Sequence, residues 1–369
     1  MKRFFPILFL ILFLVVIIGA NIYLAHRFNF YFAVGNSNIF YLVFPILSIL
    51  MIFGMMPLSN STSKPGQIIY ILAAITMGTL LYLLISVFMV DLINLFVQIS
   101  PQISGLAALA LALAISGYGI FNAWNIQITS EEIELRELKK DVSVAHISDI
   151  HIGHFRGRKF LQRIVNKVNE QNVEAVFITG DLFDGRINLS KENLAPLSEL
   201  KTPVFFVEGN HDKYTGVQII KDYLREIGVR VLENEIVNWN GIQIIGLNHM
   251  RADNEALNIH ATDKYMTIRN VLEKLSIDRL NPAILLHHSP DGIKYANQHG
   301  VDLYLAGHTH AGQLFPIKYI ANLIFEYNKG LHSFEETKLF VSQGAGTFGP
   351  PMRIGTKSEI TLLHLKPGK

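Results

Sequence analysis

The pattern of apolar and polar positions changes character a third of the way along the chain. Before about residue 125, apolar residues come in long runs at 4–25, 39–56, 68–90 and 103–123, with almost no charge inside them. A run of about 20 apolar residues matches the thickness of a bilayer, so each of the four predicts a transmembrane helix and together they define a membrane region over 1–125. Beyond it, short β-branched runs alternate with amphipathic stretches. VSVAHIS, starting at Val142, predicts a strand, and 158–171 predicts a helix with Leu161, Ile164, Val165 and Val168 on one face. Further strands are expected at 175–179, 204–207, 242–246, 283–286, 303–305, 339–342 and 360–365, and a helix at 217–227. Strand–helix alternation giving way to strands predicts an α/β sandwich over 142–369, four layers deep in the order α/β/β/α, with two mixed sheets face to face. The charged stretch 126–141 reads as a linker or as an edge strand carrying Ile133 and Leu135.

The first run follows Lys2 and Arg3 and contains Gly19-Ala20, which together imitate a cleaved signal peptide. Its apolar stretch is too long for a signal core, so a retained helix is expected. Buried helices of a soluble protein would carry a charged face, whereas Asp91 is the only acidic residue before Glu131. Lys2, Arg3, Lys64, Arg136, Lys139 and Lys140 fall on one side of four spans and only Arg27 on the other. The expectation is a multi-pass cell-membrane protein with its N-terminus and its C-terminal domain in the cytoplasm.

Composition removes other classes. The chain has no cysteine, which excludes disulfides and thiolate metal sites, and a net charge of +2 with no basic stripe argues against a nucleic-acid partner. The oligomeric state is not written in the sequence.

Candidate chemistry sits at the ends of the apolar strands: Asp149-Ile150-His151, Gly180-Asp181, Gly209-Asn210-His211-Asp212, His287-His288 and Gly307-His308-Thr309-His310. Strand ends that deliver Asp, Asn and His to one sheet edge supply what a two-metal hydrolytic centre needs. Asp181 is the candidate bridging carboxylate, and the i, i+2 spacing of Asp149 and His151 recurs in His308 and His310. Imidazole and carboxylate without sulfur suit manganese, iron or zinc.

The order and spacing of these motifs resemble the calcineurin-like metallophosphoesterases, and the string from Gly307 to Gln313 resembles their membrane-associated bacterial branch. The resemblance covers the last two-thirds of the chain. It implies one divalent ion on Asp149, His151, Asp181 and His310, and a second on Asp181, Asn210, His288 and His308. His288 is preferred to His287 because it stands two residues before Pro290. The resemblance further implies that hydroxide held between the ions attacks phosphorus, and that His211 protonates the leaving group. Asp212 either supports that histidine or caps the following helix, and Asp184 serves either the site or a turn.

The expected function is therefore a membrane-anchored hydrolase of a phosphomonoester, phosphodiester or pyrophosphate, with the bilayer making a lipid-linked phosphate an attractive substrate. The competing class is a membrane sensor or scaffold that binds metal or nucleotide without turnover; a protein phosphatase or nuclease of the same fold ranks lower. Arg156, Arg158 and Arg353 read either as phosphate contacts near the site loops or, the favoured reading for each singly, as solvated; His249 reads either as a determinant of substrate choice or, as favoured, as an ordinary surface histidine. The segment 316–325, PIKYIANLIF, reads as a buried element, or alternatively as an apolar flap that dips towards the bilayer.

Overall fold

The computed structural model describes residues 5–33, 38–255 and 266–368, with side chains from residue 11 onward. Lys2, Arg3 and the first residue of the initial apolar run lie outside them. The chain divides into two compact units, one comprising Met1–Phe121 with Gly349–Met352, the other Asn122–Phe348 with Arg353–Lys369.

The first unit is helical: α1 (Phe5–Phe32), α2 (Phe40–Met55), α3 (Lys64–Asn94) and α4 (Pro101–Trp124), whose last turn belongs to the second unit. Ile11–Phe32, Lys64–Asn94 and Pro101–Trp124 are long and apolar enough to cross a bilayer. The sequence expectation of four spans is corrected here to three among the described residues. The exception, α2, has 16 residues with Pro45 inside it; at about 1.5 Å per residue it reaches about 24 Å against a hydrocarbon core of about 30 Å. Asp91 near the end of α3 pairs with Arg27 near the end of α1, and accepts hydrogen bonds from Tyr23 and Tyr31, each at 2.6 Å. An unpaired charge among apolar helices would be costly, so these donors hold Asp91 in place.

The second unit opens with β1 (Ile126–Leu135), β2 (Val142–Ile147), β3 (Ile152–Gly153), α5 (Arg158–Asn169), β4 (Ala175–Thr179) and β5 (Phe183–Asp184). It continues through α6 (Lys191–Leu194), β6 (Val204–Val207), α7 (Asn210–Thr215), α8 (Val217–Glu226), β7 (Arg230–Val231), β8 (Glu235–Trp239) and β9 (Ile242–Gly246). The rest is α9 (Ile268–Leu272), β10 (Ala283–Leu286), α10 (Ile293–Gln298), β11 (Leu303–Ala306), α11 (Ile317–Ile324), β12 (Gly330–Phe334), β13 (Thr337–Val341) and β14 (Ser358–Pro367).

Two six-stranded sheets result, ordered β1-β14-β2-β4-β6-β7 and β12-β13-β11-β10-β9-β8, with β3 and β5 forming a small pair. Both are mixed: β2, β4 and β6 run parallel while β14 is antiparallel to β2, and β9, β10 and β11 run parallel while β8 and β12 are antiparallel edges. The charged stretch after the helices forms β1, which pairs along its length with β14.

The core explains the layering. Val144, Phe177, Val207, Ile244, Leu286 and Leu305 meet between the sheets. On the far side of the first sheet, Phe160, Leu161, Ile164, Val165 and Val168 of α5 cover Ala145, Ile147, Val176 and Ile178. On the far side of the second, Ile268, Leu272, Ile293 and Ala296 cover Ile245, Leu285 and Tyr304. Strands buried on both faces are continuous apolar runs, as AVFIT in β4 illustrates. Each fully buried Val, Leu, Ile or Phe contributes about 1.5–3 kcal/mol, which is what holds the central strands rigid and their tips in fixed positions.

Candidate metal centre

Every motif singled out above follows the C-terminal end of a parallel strand. Asp149 and His151 follow β2, Asp181 follows β4, Asn210 and His211 follow β6, His288 follows β10, and His308 and His310 follow β11. Backbone bonds stitch these loops together: Asp149 N–H donates to the Gly180 carbonyl at 3.1 Å and His151 N–H to the Asp181 carbonyl at 3.0 Å. Close approach demands small residues. A Cβ on Gly209 would overlap Asp181, and one on Gly307 would overlap Ser148 and Asp149.

Among the described residues three groups of donor atoms form: Asp149 with His151 and His310, Asp181 with His288 and His308, and, beside the first, His151 with Asp184 and His211. In the first, Nε2 of His310 lies 3.4 Å from Asp149 Oδ1 and 3.1 Å from Nε2 of His151. In the second, Nε2 of His288 lies 3.1 Å from Asp181 Oδ2 and 3.2 Å from Nδ1 of His308. Asp181 stands between the groups, because the same Oδ2 is 3.8 Å from Nε2 of His151. Asn210 is buried with its side-chain carbonyl lacking any protein partner.

Asp149, His151, Asp181, His308 and His310 all have φ between 50° and 73°, the left-handed region that side chains other than glycine's rarely adopt. Local strain shared by five polar residues at one site is the pattern of a functional centre.

The electrostatics fit cations. Burial, with Asp181 nearby, lifts the Asp149 carboxyl to about 6, whereas histidines around Asp181 hold it well below the usual carboxylate range despite its burial. Burial drives His151 down to about 3 and His310 well below the usual imidazole range, leaving both neutral, the metal-binding form. Burial also disfavours the charged form of His288, but Asp181 outweighs it and holds that ring up at about 9. Nδ1 of His288 donates to the Thr179 carbonyl at 2.8 Å, aiming Nε2 at Asp181. His287 points elsewhere: Nδ1 meets the Ser289 carbonyl and the Tyr304 hydroxyl, and Nε2 accepts from Met250 N–H.

Four residues sit otherwise than the favoured reading of the sequence placed them: Asp212, Arg353, Arg156 and His249. Asp212 does not touch the His211 ring; its carboxylate accepts from the backbone amides of Leu182, Phe183 and Gly209. The ring's partner is Asp184, whose Oδ1 lies 3.1 Å from Nδ1. Burial opposes charge on His211, yet Asp181 and Asp184 raise it to about 9.

Arg353 is buried rather than solvated, and its guanidinium contacts His310 and donates to the carbonyls of Gln343, Gly344 and Gly346. Arg156 is buried as well, over the Phe160 ring, donating to Thr347. His249, too, is interior: it stacks on His287 at 5.8 Å and lies 6.1 Å from His308. Sequence gave little warning of either arginine, since no periodic element surrounds Arg156 or Arg353. A residue missed altogether is Phe348, whose exposed ring sits 5.0 Å from His211.

A two-sheet α/β sandwich that gathers paired histidine–carboxylate groups at its strand ends defines the metallophosphoesterase class. The calcineurin-like phosphoesterase family profile matches residues 142–312. A metallophosphoesterase of Aquifex aeolicus is 31% identical over 268 residues, spanning 69% of this chain and 98% of its own length. One from Helicobacter pylori is 36% identical over 245 residues, 65% of this chain and 64% of that protein. The "Transmembrane protein with metallophosphoesterase domain" of Danio rerio is 34% identical over 278 residues, 70% of this chain and 62% of that protein. The chain thus spans slightly less than two-thirds of the latter two relatives. It belongs to the calcineurin-like metallophosphoesterase family.

Proposed function

We propose that this protein is a membrane-anchored, two-metal phosphoesterase that hydrolyses a phosphomonoester, phosphodiester or pyrophosphate bond of a lipid-linked substrate. The observation that carries the reading is the position of Asp181 between two histidine groups, 3.1 Å from His288 and 3.8 Å from His151. One divalent cation would take Asp149, His151, Asp181 and His310, and the other Asp181, Asn210, His288 and His308. The nitrogen and oxygen donors and the unpartnered Asn210 oxygen fit manganese, iron or zinc. Bound there, the ions supply Lewis acidity to phosphate oxygens and a lowered pKa to water.

The chain's own residues do the rest. His211 donates a proton to the departing oxygen, and Asp184 holds its ring by Nδ1 so that Nε2 is free to face the substrate. Asp181 accepts the His211 backbone N–H at 2.8 Å, so ligand and acid are set by one carboxylate. Asp212 fixes the loops bearing Asp181 and Asn210 through their amides.

Arg27 and Asp91 lie near the C-terminal ends of α1 and α3, so these helices run in one direction and the chain between them turns back through α2. The basic residues Arg136, Lys139 and Lys140 that follow α4 favour a cytoplasmic catalytic domain.

The test is hydrolysis of aryl phosphates, aryl diesters and lipid-linked phosphates by the purified full chain with added manganese. Metal-dependent turnover abolished by Asp181→Ala and slowed about 10²-fold or more by His211→Ala is expected. Turnover indifferent to Asp181→Ala would sink the proposal.

A further inference from the structure

The helix α11 has a surface that the phosphoesterase reading does not use. It begins five residues after Gly312 and contains a single buried residue, Ala321. Tyr319, Ile320, Leu323 and Ile324 are exposed, and Phe315 just before the helix extends the same patch. Leu323, at 87% exposed, is the most exposed large hydrophobic side chain among the described residues. Single exposed leucines are common on protein surfaces, but four large apolar side chains on one short amphipathic helix, with a fifth just before it, are not. Lys318 sits among them with its ammonium over the rings of Phe315 (5.8 Å) and Tyr319 (5.1 Å).

We infer that α11 is an interfacial membrane helix, laying Tyr319, Ile320, Leu323 and Ile324 into the headgroup–acyl boundary of the bilayer while Lys318 meets lipid phosphates. Three features select a bilayer as the occupant. The described residues of the same chain include three helices of bilayer-spanning length. The tether is minimal, because β1 starts at Ile126 and α4 ends at Trp124. The composition of the face, large apolar groups with one snorkelling lysine, is that of helices lying in a lipid interface. The surface also leads to the candidate centre: Phe325, the residue after α11, places its ring 5.7 Å from that of His308. An acyl or polyprenyl chain seated along α11 would present its phosphate to the ligands beside Phe325.

The chain lacks cysteine, so one nitroxide can be placed at will. Full-length Leu323→Cys, Ile320→Cys and, as a control on the exposed outer face of α8, Gln218→Cys would be spin-labelled. They would then be reconstituted into phosphatidylcholine–phosphatidylglycerol vesicles, and exposure to oxygen and to a nickel chelate read by power saturation. The expected result is strong protection from nickel and ready access to oxygen at 323 and 320, with the reverse at 218. Equal nickel access at all three positions would overturn the inference. So would dipolar broadening between labels at 323, which would assign the face to a second copy of the chain. Depth is measured without turnover, so repeating it in Asp181→Ala separates failure of this inference from failure of the phosphoesterase reading.

Discussion

Arg353 is joined to His310 at two points: Nη2 lies 3.3 Å from Nδ1 of the ring, and Nη1 donates to the backbone carbonyl at 3.4 Å. The arginine is itself fixed from behind, because Asn122 in the last turn of α4 donates to the carbonyls of Arg353 at 2.9 Å and Thr356 at 3.0 Å. A ring held on both its side chain and its backbone has one orientation, and that orientation aims Nε2 at Asp149.

Removing the guanidinium should therefore loosen one metal position and spare the other. Arg353→Ala is expected to lose about 10–100-fold in affinity at the ion held by His310, so that dialysed protein carries one ion where the parent carries two. Arg353→Lys should rescue little, since a single ammonium cannot reproduce the fork that reaches several carbonyls at once. Metal content by atomic emission reads the difference; two ions retained in both variants would show that Arg353 only supports the fold.

Asp184 and Asp212 separate a rate effect from a stability effect. Asp212→Ala strips three buried backbone amides of their acceptor, at about 1–3 kcal/mol each, and should lower Tm by many degrees. Asp184→Asn leaves those amides bonded and disturbs only the His211 ring, so turnover should fall about tenfold or more with Tm nearly unchanged. Thermal melts and kcat on the same two variants decide the matter, and the opposite pattern would return Asp212 to the catalytic role expected from its place in the motif.

Phe348 sets an apolar plane beside His211, the proton donor proposed above. Its ring is exposed and lies 5.0 Å from His211 and 6.4 Å from His151. Phe348→Ala is expected to raise KM about 2–10-fold with kcat held, the size of one lost aromatic contact. An equal fall in kcat would instead mean that the ring orients His211.

What the sequence carried and what it did not divide along physical lines. The strands β4, β6, β9 and β10 were legible to the residue because both faces are buried and the apolar run stops where the sheet stops. That Asp149, His151, Asp181, His288, His308 and His310 stand just beyond strand ends was legible because each follows such a run, whereas their division between two ions was implied only by the family resemblance. Partners set by tertiary contact were not. Nothing local says that Asp184, three residues after Asp181, meets His211 while its sequence neighbour Asp212 binds amides. Nor does Arg353, in the irregular stretch after Pro350-Pro351, announce that it will be buried. The fourth span failed on length: α2 stops at 16 residues around Pro45 although its composition is as apolar as that of its neighbours.

Acid stability should depend on a histidine remote from any proposed ligand role. His146 on β2 is fully buried, with Nε2 2.8 Å from the Thr179 hydroxyl and its ring against Phe340. Burial drives it down to about 3, whereas in the unfolded chain it would titrate near its ordinary value of about 6.5. Above the unfolded value neither state binds the proton and the residue is neutral towards folding. As pH falls from about 6.5 towards about 3 the unfolded chain takes up a proton that the folded one refuses, so stability declines by about 1.4 kcal/mol per pH unit from this group alone. His146→Gln keeps a partner for Thr179 and removes the titration. The difference in unfolding free energy between parent and variant, followed by denaturant melts from pH 7 to pH 4, should therefore shift steadily in favour of the variant, whereas a difference that stays flat would place the acid sensitivity elsewhere.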